Sequence, residues 1–224
     1  MSTGLDRGLK ILAILARKNA PVRFNELNEG LGDISRATLS RLLTSLIDSG
    51  HIEKHNETGA YSCGSEMAVF ANVNQKGLRE ILISKYGPKL KEAAKKFNVT
   101  IIMLEKVKDI LFNIHKEQPE YSMFMQEINN INDNYHEPWL LTLAAYSPEV
   151  KAKVTGKKHH RLIAEIREKG YLYEDQTVRK QVRRFSFPIF HNEKIAGIIG
   201  IGGTILQIDD DRAKEIIEFF GTKN

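Results

Sequence analysis

Apolar residues recur at helical spacing over residues 5–18, at Leu5, Leu9, Leu12 and Ala16, with Ile11 and Leu15 alongside. The pattern predicts an amphipathic helix with one buried stripe. Asn19-Ala20-Pro21 stops it. A shorter helix fits Phe24 to Leu31, with Phe24, Leu27 and Leu31 inward, and Gly30 and Gly32-Asp33 break the chain behind it. Ser35 is a good N-cap for a third helix running to Ser49, closed by Gly50, which tolerates left-handed backbone. Two short extended runs, His51–Lys54 and Ala60–Cys63, then flank Asn56-Glu57-Thr58-Gly59, a turn by composition. Three helices followed by a hairpin make a winged helix-turn-helix.

Further along, a mildly apolar helical pattern over Ser65–Ile83 reads as a connector helix, and a basic amphipathic helix over Ser84–Phe97 carries Pro88 in its first turn. Strand patterns cover Val99–Glu105, Ile110–His115, Val182–Phe190 and Ile195–Ile201, the last two hinged at His191-Asn192-Glu193. Helices fit Trp139–Tyr146, Lys158–Lys169 (ending at Gly170) and Asp209–Phe220, the last with three aspartates at its positive end. Residues 117–137 are acidic, Asn-rich and carry no periodicity. The expected fold class is α+β. The expected organisation is a DNA-binding domain at 1–64, a linker helix at 65–83, and an antiparallel-sheet domain with helices at 84–224.

The third helix carries the functional reading. Leu39, Leu42, Leu43, Leu46 and Ile47 repeat at core spacing, which turns Ala37, Arg41, Thr44 and Asp48 to the opposite side. Thr38, Ser40 and Ser45 flank that side, and Arg36 sits in the first turn. The face is small, hydroxylated and sparsely cationic, without the Lys–Glu pairs of an ordinary solvated helix. Such a face suits a major groove: short side chains let the backbone approach, Arg can pair a guanine edge bidentately, and Thr can meet thymine or phosphate. The first-turn amides can hold a phosphate. Ser35, Arg36, Ala37, Thr38, Ser40, Arg41 and Thr44 are therefore candidate DNA contacts. Arg23, opening the second helix, and Lys54 and His55, near the wing tip, join them; a solvated arginine and a solvated turn are the plain alternatives there.

Charge changes this picture only through its distribution. The chain of 224 residues carries a formal +5. Residues 1–64 hold 8 Lys+Arg against 7 Asp+Glu, net +1, so the DNA reading rests on where cations sit rather than on their number. Residues 76–96 are +5, residues 117–149 are −6 and residues 151–184 are +7. With 42% hydrophobic and 27% charged residues the chain can bury a core. No apolar run approaches the roughly 20 residues that span a bilayer. The N-terminus lacks the layout of a signal peptide, so a cytoplasmic location and no membrane partner are expected.

Other chemistry is thin. Cys63 stands alone, so no internal disulfide is possible, and its alternating surroundings make it a half-buried strand residue rather than a nucleophile. His159 and His160 are adjacent and point about 100° apart on a helix, which argues against a shared metal. Gly200-Ile201-Gly202-Gly203 lacks the spacing and the Lys-Ser/Thr of a nucleotide loop, and reads as a strand approached closely by a ligand or a neighbouring backbone. The acidic segment 117–137 shows no supporting base or metal partner. The basic run Lys151, Lys153, Lys157, Lys158 and Arg161 is surface, with a DNA or anionic-metabolite contact as the alternative. No enzyme activity, cofactor or metal is expected.

With these residues in view, the chain resembles the IclR family of transcription regulators. The resemblance runs through Leu5-Asp6-Arg7-Gly8-Leu9-Lys10-Ile11-Leu12, Ser35-Arg36-Ala37-Thr38-Leu39-Ser40-Arg41-Leu42-Leu43, Gly50-His51-Ile52-Glu53 and Glu57 to Gly64. More loosely it includes Leu143 to Glu149, Phe187-Pro188-Ile189-Phe190 and Ile195 to Gly203. It implies a GAF-like effector-binding domain, a linker helix used in dimerisation, and homodimers or tetramers on a double-stranded operator. Where the family offers Gly and small residues before its pocket helix, this chain has Trp139-Leu140; where the last strands offer Cys or small residues and Ser, it has Arg184, Gly200 and Gly202. Candidate effector contacts are Tyr135, His136, Trp139, Arg184, Gly200 and Gly202, and a small acidic metabolite is the candidate effector. Arg184 could grip such an acid bidentately; the preferred alternative turns it outward beside Arg183 on a solvated strand. The expected function is sequence-specific transcription regulation, as repressor or activator. A winged-helix protein-interaction module without operator or ligand is the rival.

Overall fold

The computed structural model of the chain describes residues 3–18, 20–73, 77–119, 128, 131–177 and 179–221. The chain forms two compact units, Met1–Gly77 and Leu78–Asn224.

The first unit holds α1 (Gly4–Lys18), α2 (Phe24–Leu31), α3 (Arg36–Asp48), a hairpin of β1 (Ile52–Lys54) and β2 (Tyr61–Cys63), and α4 (Glu66–Val73). Its core gathers Ile11, Leu15, Val22, Leu27, Leu39, Leu43, Ile52 and Tyr61. The stripe that α1 buries differs from the expected one. Ile11 and Leu15 are inside, whereas Leu5 and Leu9 are 72% and 57% exposed. At 100° per residue the two stripes lie roughly a third of a turn apart, and so small a core covers only one. Ile47 likewise departs from its expected place and is exposed, whereas Leu39 and Leu43 are buried in the core and Leu42 and Leu46 pack against it. Gly50 follows α3 at φ 72°, the left-handed geometry expected of it.

The second unit begins with α5 (Leu78–Phe97), followed by β3 (Thr100–Val107), β4 (Ile110–Glu117), β5 (Ile131–Asn132), α6 (Pro138–Tyr146), α7 (Pro148–Lys151), α8 (Lys157–Lys169), β6 (Leu172–Asp175), β7 (Val182–His191), β8 (Lys194–Thr204) and α9 (Asp210–Phe220). The helix expected to open at Ser84 starts at Leu78 and carries Pro88 in its interior, so the connector helix expected over 65–83 is not one piece. Of the acidic segment 117–137, residues 120–127 and 129–130 lie outside the described residues.

Six strands form one antiparallel sheet in the order β5-β4-β3-β8-β7-β6. The fold class is α+β. Side chains alternate across the pleat: Ile101, Met103, Phe185, Phe187 and Ile201 pack with α5 and α9 on one face, and Ile102, Leu104 and Ile198 pack with α6 and α8 on the other. Pro188 lies in β7 beyond the end of β6, whose last partner is Ser186, so its missing N–H breaks no ladder on that side. On the α6 face, Thr100, Gly202, Arg184 and Glu174 stand directly opposite one another across β3, β8, β7 and β6.

Candidate nucleic-acid interface and ligand cavity

Helix α3 starts where its sequence provides a cap. Ser35 Oγ accepts from the Thr38 backbone N–H at 3.2 Å and lies 2.8 Å from Thr38 Oγ1. Opposite the buried Leu39 and Leu43, the side chains of Ala37, Ser40, Arg41 and Thr44 are exposed. Arg36 is exposed too, but it donates to Asn25 Oδ1 at 3.2 Å and lies 5.8 Å from the centroid of the Phe24 ring, which ties α3 to the start of α2. The start of α2 is capped from inside the helix: the Arg23 backbone N–H donates to Glu26 Oε2 at 2.9 Å, and the Arg23 residue is exposed.

In the wing, Lys54 lies opposite Tyr61, with Nζ 5.8 Å from the centroid of its ring. His55 turns back to the hairpin base, where Nε2 meets Ser62 Oγ at 2.9 Å and Ser62 Oγ donates to Glu53 Oε1 at 2.9 Å. Val22 joins the hairpin as a one-residue third strand, exchanging two 2.8 Å backbone hydrogen bonds with Tyr61.

The second unit contains a cavity of about 310 Å³ on the α6 face of the sheet, lined by Thr100, Ile102, Ile131–Asn134, Glu137, Trp139, Arg179, Arg184, Gly200 and Gly202. Two glycines of β8, Gly200 and Gly202, form part of its lining. A methyl group added at Gly200 would come within 2.9 Å of both Ile102 Cγ1 and Trp139 Cζ3. Trp139, second residue of α6, is buried with its ring 6.0 Å from the Arg184 guanidinium. Arg184 donates from Nε to Glu174 Oε2 at 2.5 Å and from Nη1 to Glu137 Oε2 at 2.7 Å.

The segment 4–55 matches the family model of the IclR helix-turn-helix domain. Over 94% of this chain and 83% of its own length, the transcriptional repressor IclR of Escherichia coli K12 is 25% identical. Residues 4–55 thus form an IclR-type helix-turn-helix domain, and the chain as a whole is similar to IclR transcriptional regulators. Solved structures agree on the fold. An IclR family transcriptional regulator from Brucella abortus superposes with a TM-score of 0.77 at 17% identity, covering 98% of this chain and 90% of the other. An IclR homologue from Microbacterium hydrocarbonoxydans, complexed with 4-hydroxybenzoate, gives 0.70 at 12% identity, covering 97% and 94%.

The ten candidate DNA contacts fall on α3 and its cap, the start of α2 and the wing. Arg23, Ala37, Ser40, Arg41 and Thr44 are exposed, whereas Arg36, Lys54 and His55 are engaged within the unit and Ser35 and Thr38 with each other. Of the six candidate effector contacts, Trp139, Arg184, Gly200 and Gly202 line the cavity. Tyr135 and His136 turn elsewhere. The Tyr135 hydroxyl donates to Asp109 Oδ2 at 2.5 Å, and His136 Nδ1 lies 3.2 Å from His159 Nδ1.

Arg184 does not point into solvent beside Arg183, as the preferred sequence reading had it; both are buried. Arg183 is consumed by Asp175, Asp210 and the Ile208 carbonyl on the other face, and the Asp175 and Asp210 carboxylates raise its pKa. The signal for Arg184 lay in Glu137 and Glu174, which supply its counter-charges; β6, which carries Glu174, had no readable pattern of its own.

The remaining candidates take structural places. Burial pushes the Cys63 thiol up, away from thiolate chemistry. His159 Nδ1 and His160 Nε2 meet the Thr155 and Val154 carbonyls at 2.9 and 3.0 Å. No group of three or more metal-ligating side chains converges among the described residues. In the basic run, Lys153 pairs with Asp109 and Arg161 with Glu165. With Tyr135, Lys153 holds the Asp109 carboxyl down at about 2. Among the described residues no helix is long and apolar enough to cross a membrane.

Proposed function

We propose that this regulator binds a duplex operator as a homodimer, reading bases through α3 and touching backbone through the start of α2 and the wing. The observation that supports this most is the exposed, hydroxylated face of α3, where Arg41 stands beside Ser40 and Thr44 with none of the intramolecular ties that hold Arg36. Arg41 is the base reader, Thr44 and Ser40 support it, and the Ser35–Thr38 turn presents backbone amides to a phosphate. Residues 1–64 serve DNA, 65–83 link, and 84–224 sense and oligomerise. Leu5 and Leu9 on α1, and Val69 and Phe70 on α4 at 57% and 61% exposure, are the apolar side chains that a second copy would cover.

The cavity beside Trp139 and Arg184 is the effector site, and a small acidic metabolite is its ligand. A bound effector changes operator affinity only by binding the two conformations of the regulator unequally. Selection of genomic fragments by the purified protein, followed by salt-dependent gel shift on the enriched duplex, tests the DNA reading. Specific binding that weakens steeply with salt supports it. The absence of any enriched duplex favours a protein-interaction module instead.

A further inference from the structure

Arg184 enters the cavity already balanced by the protein's own carboxylates, and the two are not equivalent. Glu174 has only 7% of its side chain exposed, faces Arg184 across the β6–β7 ladder, and accepts Thr177 Oγ1 at 3.1 Å on its other oxygen. Glu137 has 31% exposed and sits just before the first turn of α6. The Arg184 side chain is 8% exposed, and its Nη2 is buried without a hydrogen-bond partner. One edge of the guanidinium, Nη1 and Nη2, is therefore half used, and used by the more accessible carboxylate.

We infer that Glu137 is an internal stand-in for the ligand: a small monocarboxylate enters by exchange, taking Nη1 and Nη2 together while Glu137 swings out to solvent. The inference rests on the effector reading of the cavity. Addition without exchange is disfavoured by charge. Arg184, Glu174 and Glu137 already sum to −1, and a third carboxylate would crowd one guanidinium in a poorly solvated site. Exchange keeps the sum unchanged and fills the orphaned donor, giving the paired geometry that guanidinium and carboxylate prefer. The flat wall of Trp139 over Gly200 suits a ligand with one ring or less.

The exchange also says what would move. The Glu137 carbonyl accepts from Leu141 N–H at 3.0 Å, the first hydrogen bond of α6, and its own N–H donates to the Asn134 carbonyl at 3.0 Å. A departing Glu137 side chain thus acts on the start of α6 and on the 132–137 wall, while Glu174 stays on its strand. Glu137 is a specificity-determining residue: it sets the threshold an acid must beat.

The test is calorimetric titration of the full chain and of Glu137→Gln with benzoate and acetate, each beside its uncharged amide. Both carboxylates should bind E137Q about ten times tighter than the native chain, and the amides should change by less than about twofold. E137A, which also keeps the Glu174 pair, should order the probes in the same way. Equal carboxylate affinity in native and variant chains overturns the exchange, and so does an equal gain by the amides, which would mean that the cavity was merely widened. If none of the four compounds binds either chain at about 10 mM, the effector reading itself falls and the exchange with it.

Discussion

Glu174 stands directly opposite Arg184 in the β6–β7 ladder, and the pair is almost sealed, at 7% and 8% side-chain exposure. Removing Glu174 takes the buried partner from Nε of Arg184 and leaves only the more exposed Glu137 to balance a poorly solvated charge. Glu174→Ala should therefore cost about 3–5 kcal/mol of stability. Glu137→Gln, on the half-exposed side of the same guanidinium, should cost about 1 kcal/mol or less. Urea denaturation of the two variants checks the asymmetry, and equal losses would contradict it.

On the DNA side, Arg41→Ala should remove about 1–3 kcal/mol of discrimination at one base pair of the operator. Binding to single-base operator variants measures it. Uniform weakening on every sequence would make Arg41 a phosphate contact. Arg36→Ala should act differently, since its guanidinium is shared with Asn25: part of its effect should appear as lost stability of the first unit.

Gly200 leaves room that Trp139 and Ile102 have taken up. Gly200→Val puts a Cβ 2.9 Å from each of them and should cost about 1–3 kcal/mol by overpacking. The same branch reaches into the cavity, so melting-temperature shifts by small carboxylates should vanish in this variant. A variant that melts lower yet keeps those shifts would separate the glycine from the site.

Asp109 supplies a pH signature. Lys153 and Tyr135 hold its carboxyl at about 2, below the ordinary aspartate value of 3.8. A depressed carboxylate contributes stability that is complete above the unfolded pKa and lost as pH falls through the folded one. The contribution, on the order of 1–2 kcal/mol given the solvent around half-exposed Lys153, should fade between about pH 4 and pH 2. Asp109→Asn should be less stable than the native chain at pH 6, with the gap closing below pH 4 in urea titrations.

Self-association offers a last check. Leu9→Glu and Phe70→Glu each place a charge on an exposed apolar residue of the first unit that contributes nothing to its core. Each variant should keep its melting temperature within a few degrees. Each should also shift sedimentation toward monomer and lower operator affinity. A variant that remains dimeric clears that residue of the interface.

Much of the fold was legible because local chemistry and tertiary packing agree. Ser35 caps, Gly50 turns, and Gly170 ends α8 at φ 87° as its place after Lys169 suggests. The misreadings occur where they part. In α1 two apolar stripes compete, and only the neighbouring helices decide that Ile11 and Leu15 are buried rather than Leu5 and Leu9. At Pro88 the ring suggests a helix start, yet α5 runs through it. The second site was half legible. Trp139, Gly200 and Gly202 stood out by their types, but no local pattern announces that Glu137 and Glu174, 37 residues apart in number, close on one arginine.

The two hydrogen bonds between Val22 and Tyr61 fasten the hairpin to the residue that precedes α2, so its root is anchored independently of its tip. Insertions or replacements at Asn56–Gly59 can then alter what the wing touches without re-aiming α3. Descendants of such a protein could retune how they grip the flanks of a promoter while leaving the bases they recognise unchanged.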